Sequence, residues 1–247
     1  MRPPLNGLRR TRLWNRMRDI RYLLRHRARR RFLAGFIGRN DLVFDIGANI
    51  GHFTLMARSL GARVLAVEPQ AALAAELRHR FAGSPRVQVL QCALSSSAGT
   101  APLHKTAELS EVASLREDIG ERSRFAIRHP YSLSETVDVM TLEELIGRFG
   151  RPSFCKIDVE GHESSVLAGL KTAVARMSFE FASEYRDDTS RCLGLLSALG
   201  PYRFNYALGE DTRLAEPGWL EASQVERMIS SLTDPHYWGD LYAQIKP

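Results

Sequence analysis

The densest chemistry in the chain lies in ten residues, Phe154-Cys155-Lys156-Ile157-Asp158-Val159-Glu160-Gly161-His162-Glu163. If the segment enters as a β-strand, alternation puts the side chains of Lys156, Asp158 and Glu160 on one face. Charges seldom end a buried strand without a task, so Asp158 and Glu160 are the candidate catalytic acids, and either can take a proton from a weak nucleophile. His162 is the second choice for that base. Glu163 opens the next helix, where a carboxylate also suits the positive end of the dipole. His52, His104 and His129 are further histidines within reach of a crevice, although isolated histidines more often cap or face solvent. Asp158, Glu160, His162 and Glu163 match no recognised metal-ligand spacing, so no metal is expected.

A second stretch, Val43-Phe44-Asp45-Ile46-Gly47-Ala48-Asn49-Ile50-Gly51, reads as a strand, a tight turn and the opening of a helix. Glycines there permit positive φ and close approach of backbone to a ligand, and asparagine is one of the few other residues that tolerate that region. Glu68 follows Gly51 by 17 residues and ends the next strand. Two carboxylate oxygens there match the two adjacent hydroxyls of a ribose. A dinucleotide site needs the spacing G-x-G-x-x-G, whereas this turn reads G-x-x-x-G with Asp45 two residues before it. An acid at that point is poor company for pyrophosphate and suits the ammonium of S-adenosylmethionine, directly or through water. A glycine-rich turn that binds nothing is the remaining alternative.

Positioning these groups requires strands that end together. Apolar, β-branched runs at Leu42–Ile46, Arg63–Val67, Val87–Leu90, Thr136–Met140, Phe154–Val159, Ser178–Ala182, Arg203–Leu208 and His236–Ile245 alternate with helical stretches at His52–Leu60, Gln70–Phe81, Leu142–Phe149, Glu163–Arg176 and Ser190–Leu199. That alternation predicts an α/β fold: a Rossmann-like, doubly wound, mostly parallel seven-stranded sheet, with ligands bound at the carboxyl ends of its strands. Residues 95–135 show no clean period and read as an insertion with one or two short strands.

With 247 residues, 44% apolar and 25% charged, the chain can bury a core without disulfides or metals. Cys92, Cys155 and Cys192 are odd in number and far apart, which argues against a disulfide framework. No apolar run reaches the ~18–20 residues that span a bilayer, and no signal peptide is evident, so a reducing, cytoplasmic setting is expected. The net charge of +6 divides unevenly. Residues 1–31 hold twelve arginines and one acid (net +11), while the other 216 carry 22 basic and 27 acidic side chains (net −5). Residues 1–38 therefore read as a basic arm and 39–247 as the catalytic domain. Within the arm, Leu13, Met17, Ile20 and Leu24 recur at helical spacing, with Trp14 beside them. Such a stripe either packs on the domain or lies on an anionic membrane surface or polyanion.

Together, DIGANIG (Asp45–Gly51), AVEP ending at Pro69, CALS (Cys92–Ser95), V-x-V-x-TLEEL (Val137–Leu145) and KIDVEGHE-x-x-VL-x-G (Lys156–Gly169) resemble the FkbM-type S-adenosylmethionine-dependent methyltransferases over roughly residues 41–184. The resemblance implies the class I methyltransferase fold, S-adenosylmethionine as cofactor, and methylation of a hydroxyl on a sugar, glycolipid or secondary metabolite. It implies a cofactor turn of Asp45, Gly47, Ala48, Asn49 and Gly51, a ribose acid at Glu68, and adenine contacts at Cys92 and Ala93. Asp158 and Glu160 match the acidic fourth-strand motif, and Glu180 the acid of the following strand. Glu143 stands where aspartate is more usual. The arginine-rich arm lies outside the resemblance. The rival reading is a nucleic-acid-binding protein or RNA methyltransferase using that arm, against which stand the acidic domain and the lack of a basic, aromatic-rich patch.

Overall fold

A computed structural model of the chain describes residues 12–107, 112–126, 129–234 and 236–245, with side chains from Asp19 onward. Leu13, Trp14 and Met17, expected on the apolar stripe of the arm, lie outside the described side chains. The helices are α1 (Arg12–Arg25), α2 (Arg27–Leu33), α3 (His52–Ser59), α4 (Ala71–Phe81), α5 (Ile119–Arg122), α6 (Leu142–Phe149), α7 (Glu163–Ala168), α8 (Arg186–Leu199) and α9 (Ala222–Ser231). The strands are β1 (Leu42–Ile46), β2 (Arg63–Val67), β3 (Val87–Leu90), β4 (Ala93–Leu94), β5 (Gly99–Lys105), β6 (Ala113–Ser114), β7 (Leu133–Met140), β8 (Phe154–Ile157), β9 (Arg176–Ala182), β10 (Tyr202–Leu208) and β11 (Trp238–Ile245).

The main sheet has seven strands in the order β10-β11-β9-β8-β1-β2-β3. The four ladders joining β9, β8, β1, β2 and β3 are parallel. Strand β11 lies antiparallel between β9 and β10, so the sheet is mixed rather than purely parallel. Its central strands are apolar on both faces because helices cover both, as parallel sheets require. Phe44, Ile46, Leu65, Ile157, Phe179 and Phe181 are buried in the principal core. Strand order reverses between β1 and β8, the switch point at which open α/β sheets bind ligands.

Several elements depart from what the sequence predicts. The strand expected at Thr136–Met140 begins at Leu133 and belongs to a second sheet, β4-β7-β5-β6. This sheet takes up much of the aperiodic insertion, in which β5 pairs along its whole length with β7. Helix α7 stops at Ala168 instead of reaching Arg176. A Cβ at Gly169 would lie 2.5 Å from the Ser95 carbonyl oxygen, and the chain turns there instead of continuing. Glu143 holds that turn: one carboxylate oxygen accepts the Lys171 and Thr172 N–H groups at 2.8 Å, and the other accepts the Thr172 hydroxyl at 2.6 Å. Val166, Leu167, Leu170 and Val174 are all buried, so burial on a turn mimics a helical period. Helix α9 had no counterpart in the sequence reading.

Helix α1 docks by one face. Asp19 is 8% exposed and receives Arg80 Nη2 at 2.6 Å and Nε at 3.0 Å, while Arg80 Nη1 also donates to the Ile50 carbonyl. Tyr22 stacks between His26 and His52, and Leu23 packs toward Leu55, Leu77 and Phe81. Helix α2 continues the attachment through buried Leu33, which Phe36 and Ile37 extend just beyond it. The described members of the predicted stripe, Ile20 and Leu24, face solvent at 49% and 51% exposure. The stripe therefore does not pack on the domain there; the docked face is Asp19, Tyr22, Leu23 and His26. Among the described residues no helix is long and apolar enough to cross a membrane, and all three cysteines are buried and free. Removing one partner of a buried ion pair typically costs several kcal/mol, so Asp19→Ala is expected to lower the unfolding free energy by about 3 kcal/mol in urea titration; a loss below about 0.5 kcal/mol, the level of an ordinary surface change, would mean the pair does not hold α1 to the domain.

Candidate active site

Parallel register delivers the site residues to one level. Ile46 is opposite both Val67 and Ile157, and Ile157 is opposite Phe179, so Gly47, Glu68 and Asp158 leave neighbouring strands side by side, level with Glu180 near the end of β9. Gly47 has φ +78°, and a Cβ on it would sit 1.8 Å from the Asp158 carbonyl oxygen. No other residue fits where β1 and β8 approach so closely. Asn49 (φ +52°) and Gly51 (φ +80°) complete the left-handed turn into α3.

A cleft opens at this edge, lined among others by Gly47, Asn49, Glu68, Cys92, Ala93, Asp158, Glu160 and His162. Glu68 is 3% exposed; its Oε2 accepts the Asn49 N–H at 2.9 Å and its Oε1 the Gln70 N–H at 3.0 Å. The carboxylate is thus fixed in orientation, with the Gln70 side chain as a further hydrogen-bond partner. Burial raises its pKa to about 6 against the pull of those two N–H groups. Burial also pushes the Cys92 thiol up to about 12, which makes it a neutral part of the apolar lining beside Ala93 and Leu94. The insertion supplies more of the wall: Leu103, Ala113, Ser114 and Leu115 line the same cleft. Sequence reasoning missed these four, since nothing in their spacing marks them; the Ser114 hydroxyl, donating to the Val159 carbonyl at 3.2 Å, ties the second sheet to the acidic strand end.

At that strand end, carboxylate oxygens of Asp158, Glu160 and Glu180 lie within 4.8 Å of one another. Strand β8 stops at Ile157, and Glu160 reaches the group by a left-handed residue (φ +55°), not by the alternation read from the sequence. Lys156 Nζ lies 2.6 Å from Asp158 Oδ2. Burial and then Asp158 push the Glu160 pKa up to about 8, opposed by Arg124 and Lys156. Burial and the two neighbouring acids raise Glu180 as well. His162 faces Ser95 Oγ at 3.1 Å, and burial lowers its pKa to about 4, with Arg116 adding to the effect. Glu163 is buried and accepts the Val159 N–H at 2.9 Å, so it braces the turn rather than facing the cleft.

Asp45 is placed differently from Glu68. It is fully buried, its Oδ2 accepts the Thr54 hydroxyl at 2.5 Å, and it lines a second cleft with Tyr22, Arg29, His52, Lys156 and Glu210. The two clefts share Gly47, Asn49 and Asp158 as their common wall, and Ala48 borders the second alone. Gly51 borders neither: a Cβ there would meet Leu77 and Phe81 at 2.6 and 2.9 Å, so its task is to let α3 pack on α4. His104 and His129 line neither cleft.

The methyltransferase FkbM domain family matches residues 45–207, from the turn acid through β10. Among curated relatives, 31-O-demethyl-FK506 methyltransferase FkbM of Streptomyces tacrolimicus is 33% identical over 162 residues, covering 54% of this chain and 60% of that protein. Methyltransferase sdnD of Sordaria araneosa is 32% identical, covering 53% and 61% respectively. Hexuronic acid methyltransferase AglP of Haloferax volcanii is 29% identical, covering 57% and 54%. The chain thus spans 54–61% of the length of these relatives. The matched region contains the glycine turn, the fixed Glu68 carboxylate and the Asp158–Glu160–Glu180 cluster, so the geometry and the comparison agree that this chain belongs to the FkbM methyltransferase-domain family.

Proposed function

We propose that the protein is an S-adenosylmethionine-dependent O-methyltransferase acting on a hydroxyl of a sugar, glycolipid or secondary metabolite. S-adenosylmethionine is the family's cofactor, and the residues present fit it. Asp45 Oδ1 is buried with no hydrogen-bond partner among the described residues and suits an ammonium, directly or through water. Glu68 lines a cleft together with Cys92, Ala93 and Leu94, a carboxylate beside an apolar wall that suits a ribose and its adenine. When bound, the cofactor supplies an electrophilic methyl group. The observation that carries the reading is the pair of clefts meeting at Gly47, Asn49 and Asp158: a cofactor held by Asp45 on one side and Glu68 on the other would cross that shared wall, beside the acidic strand end where an acceptor hydroxyl must arrive.

An alcohol needs its proton removed as it attacks, and Glu160 is the residue we assign to that step. It lines the first cleft, carries no cation among the described residues as close as Lys156 is to Asp158, and its pKa near working pH favours proton transfer in both directions. Asp158, bound by Lys156, is a positioning residue that holds the junction of the clefts. The polar lining of the second cleft, with Tyr22, Arg29, His52 and Glu210, suits a polyhydroxylated acceptor. Two of the relatives are named for 31-O-demethyl-FK506 and for a hexuronic acid, which supports a hydroxyl-bearing acceptor.

Transfer of labelled methyl from S-adenosylmethionine into glycan and metabolite fractions, with the product identified, tests the reading; label found only in RNA or protein would overturn it. Glu160→Gln is expected to lower turnover by about 10²–10⁴-fold with little change in cofactor affinity, and a wild-type rate in both Glu160→Gln and Asp158→Asn would move the base to His162. Because a general base works deprotonated, the wild-type rate should climb about tenfold per pH unit below pH ~8 and level above it. Glu68 accepts ribose hydroxyls in its ionised form, so cofactor affinity measured by calorimetry should hold above pH ~6 and fall below it, and Glu68→Ala should cost about 1.5–3 kcal/mol. Turnover should survive dialysis against EDTA, since Lys156 already supplies a cation to the cluster; loss restored by Mg²⁺ would make Asp158, Glu160 and Glu180 ligands.

A further inference from the structure

Helix α1 has two faces with different fates. Asp19, Tyr22, Leu23 and His26 face the domain, with an ion pair, ring stacking and apolar packing. Beside them, Ile20, which borders a groove with Leu23 and Phe81, and Leu24 are half exposed, and Ala28 of α2 follows at the same four-residue interval, also exposed. In the sequence the stripe continues backward through Met17 and Leu13. Arg21, Arg25, Arg27 and Arg31 are all exposed around it. Large side chains left in water beside a line of arginines need a partner that is apolar and anionic at once.

We propose that this face of α1 and α2 lies on an anionic phospholipid surface, with Ile20 and Leu24 entering the acyl boundary and the surrounding arginines at the headgroup phosphates. Three occupants compete for such a face, and only the bilayer satisfies both components. A nucleic acid would neutralise the arginines but leave Ile20 and Leu24 in water. A second copy of the chain would bring a second set of arginines against the first. An interfacial helix has this division, with arginines beside an apolar stripe and low overall hydropathy. The same two helices line the second cleft through Tyr22 and Arg29, so docking places that cleft beside the membrane. On the function proposed above, the acceptor is then a hydroxyl-bearing molecule anchored in the bilayer; the docking itself does not depend on that function.

The test is flotation of the full chain, without cofactor or acceptor, on phosphatidylcholine vesicles with and without phosphatidylglycerol. Binding is expected only with the anionic lipid and should weaken as salt is raised. Arg21→Gln with Arg25→Gln should weaken it about 25-fold, at roughly fivefold per arginine near the surface. Ile20→Asp with Leu24→Asp should weaken it at least about tenfold, the equivalent of partly withdrawing two apolar side chains. These four side chains face solvent, so thermal melts of both variants should match wild type. Equal binding to both vesicle types, no binding to either, or full retention in the Ile20/Leu24 variant overturns the proposal. Binding to a single-stranded RNA as tight as to vesicles and indifferent to the Ile20/Leu24 change would assign the face to nucleic acid instead. A wild-type dimer that the Ile20/Leu24 variant turns into a monomer would assign it to a second copy, and either result overturns the membrane assignment.

Discussion

The site depends on one buried ammonium. Lys156 stands among Asp158, Asp45 and Asp240, and these three carboxylates hold its pKa above the ordinary lysine range despite burial. The parallel register gathers acids at the carboxyl edge because Glu68 and Asp158 directly follow β2 and β8 and Glu180 lies near the end of β9, and such a cluster is costly in a low-dielectric interior without a cation. Lys156 offsets part of that cost through its 2.6 Å contact with Asp158. Burial and the mutual repulsion of these acids drive the pKa values of Glu160 and Glu180 upward. The raised pKa of Glu160 is thus a consequence of burial and of crowding acids around a single lysine.

The glycine turn solves a separate problem. Strands β1 and β8 must lie close enough for their ends to share one wall between two clefts, and this is possible only if position 47 lacks a Cβ. On one side of that wall Glu68 is locked by two backbone N–H groups; on the other Asp45 is locked by Thr54. Both acids are oriented before any ligand arrives, so little ordering entropy remains to be lost on binding.

The insertion and the arm make this version of the fold particular. The second sheet covers the first cleft with Leu103, Ala113, Ser114 and Leu115, while α1 and α2 wall the second with Tyr22 and Arg29. Arg29 reaches Asp240 and Glu210, both at 3.4 Å, so the arm is joined electrostatically to β11 and to the loop after β10. These parts of the two cleft walls lie outside the glycine and acidic motifs.

What the sequence by itself determined is local. Period, punctuation and residue type placed β1, β2, β3, α4 and α6 close to their observed limits, and located the turn, Glu68 and the acidic strand end, because each is set by neighbours within a few residues. Tertiary structure decided what depends on distant partners. Glu160 joins the cluster through a left-handed turn packed against Tyr185, a contact no alternation rule encodes. Helix α7 ends where Gly169 meets Ser95 and Glu143 takes up the following N–H groups, residues separated by dozens of positions. The arm shows the limit most clearly. Its helical stripe is legible in the sequence, but which face turns inward is set by Arg80, 61 residues from Asp19, and by His52 against Tyr22. Periodicity records that a helix has an apolar side; only the partners waiting on the domain decide which side is buried.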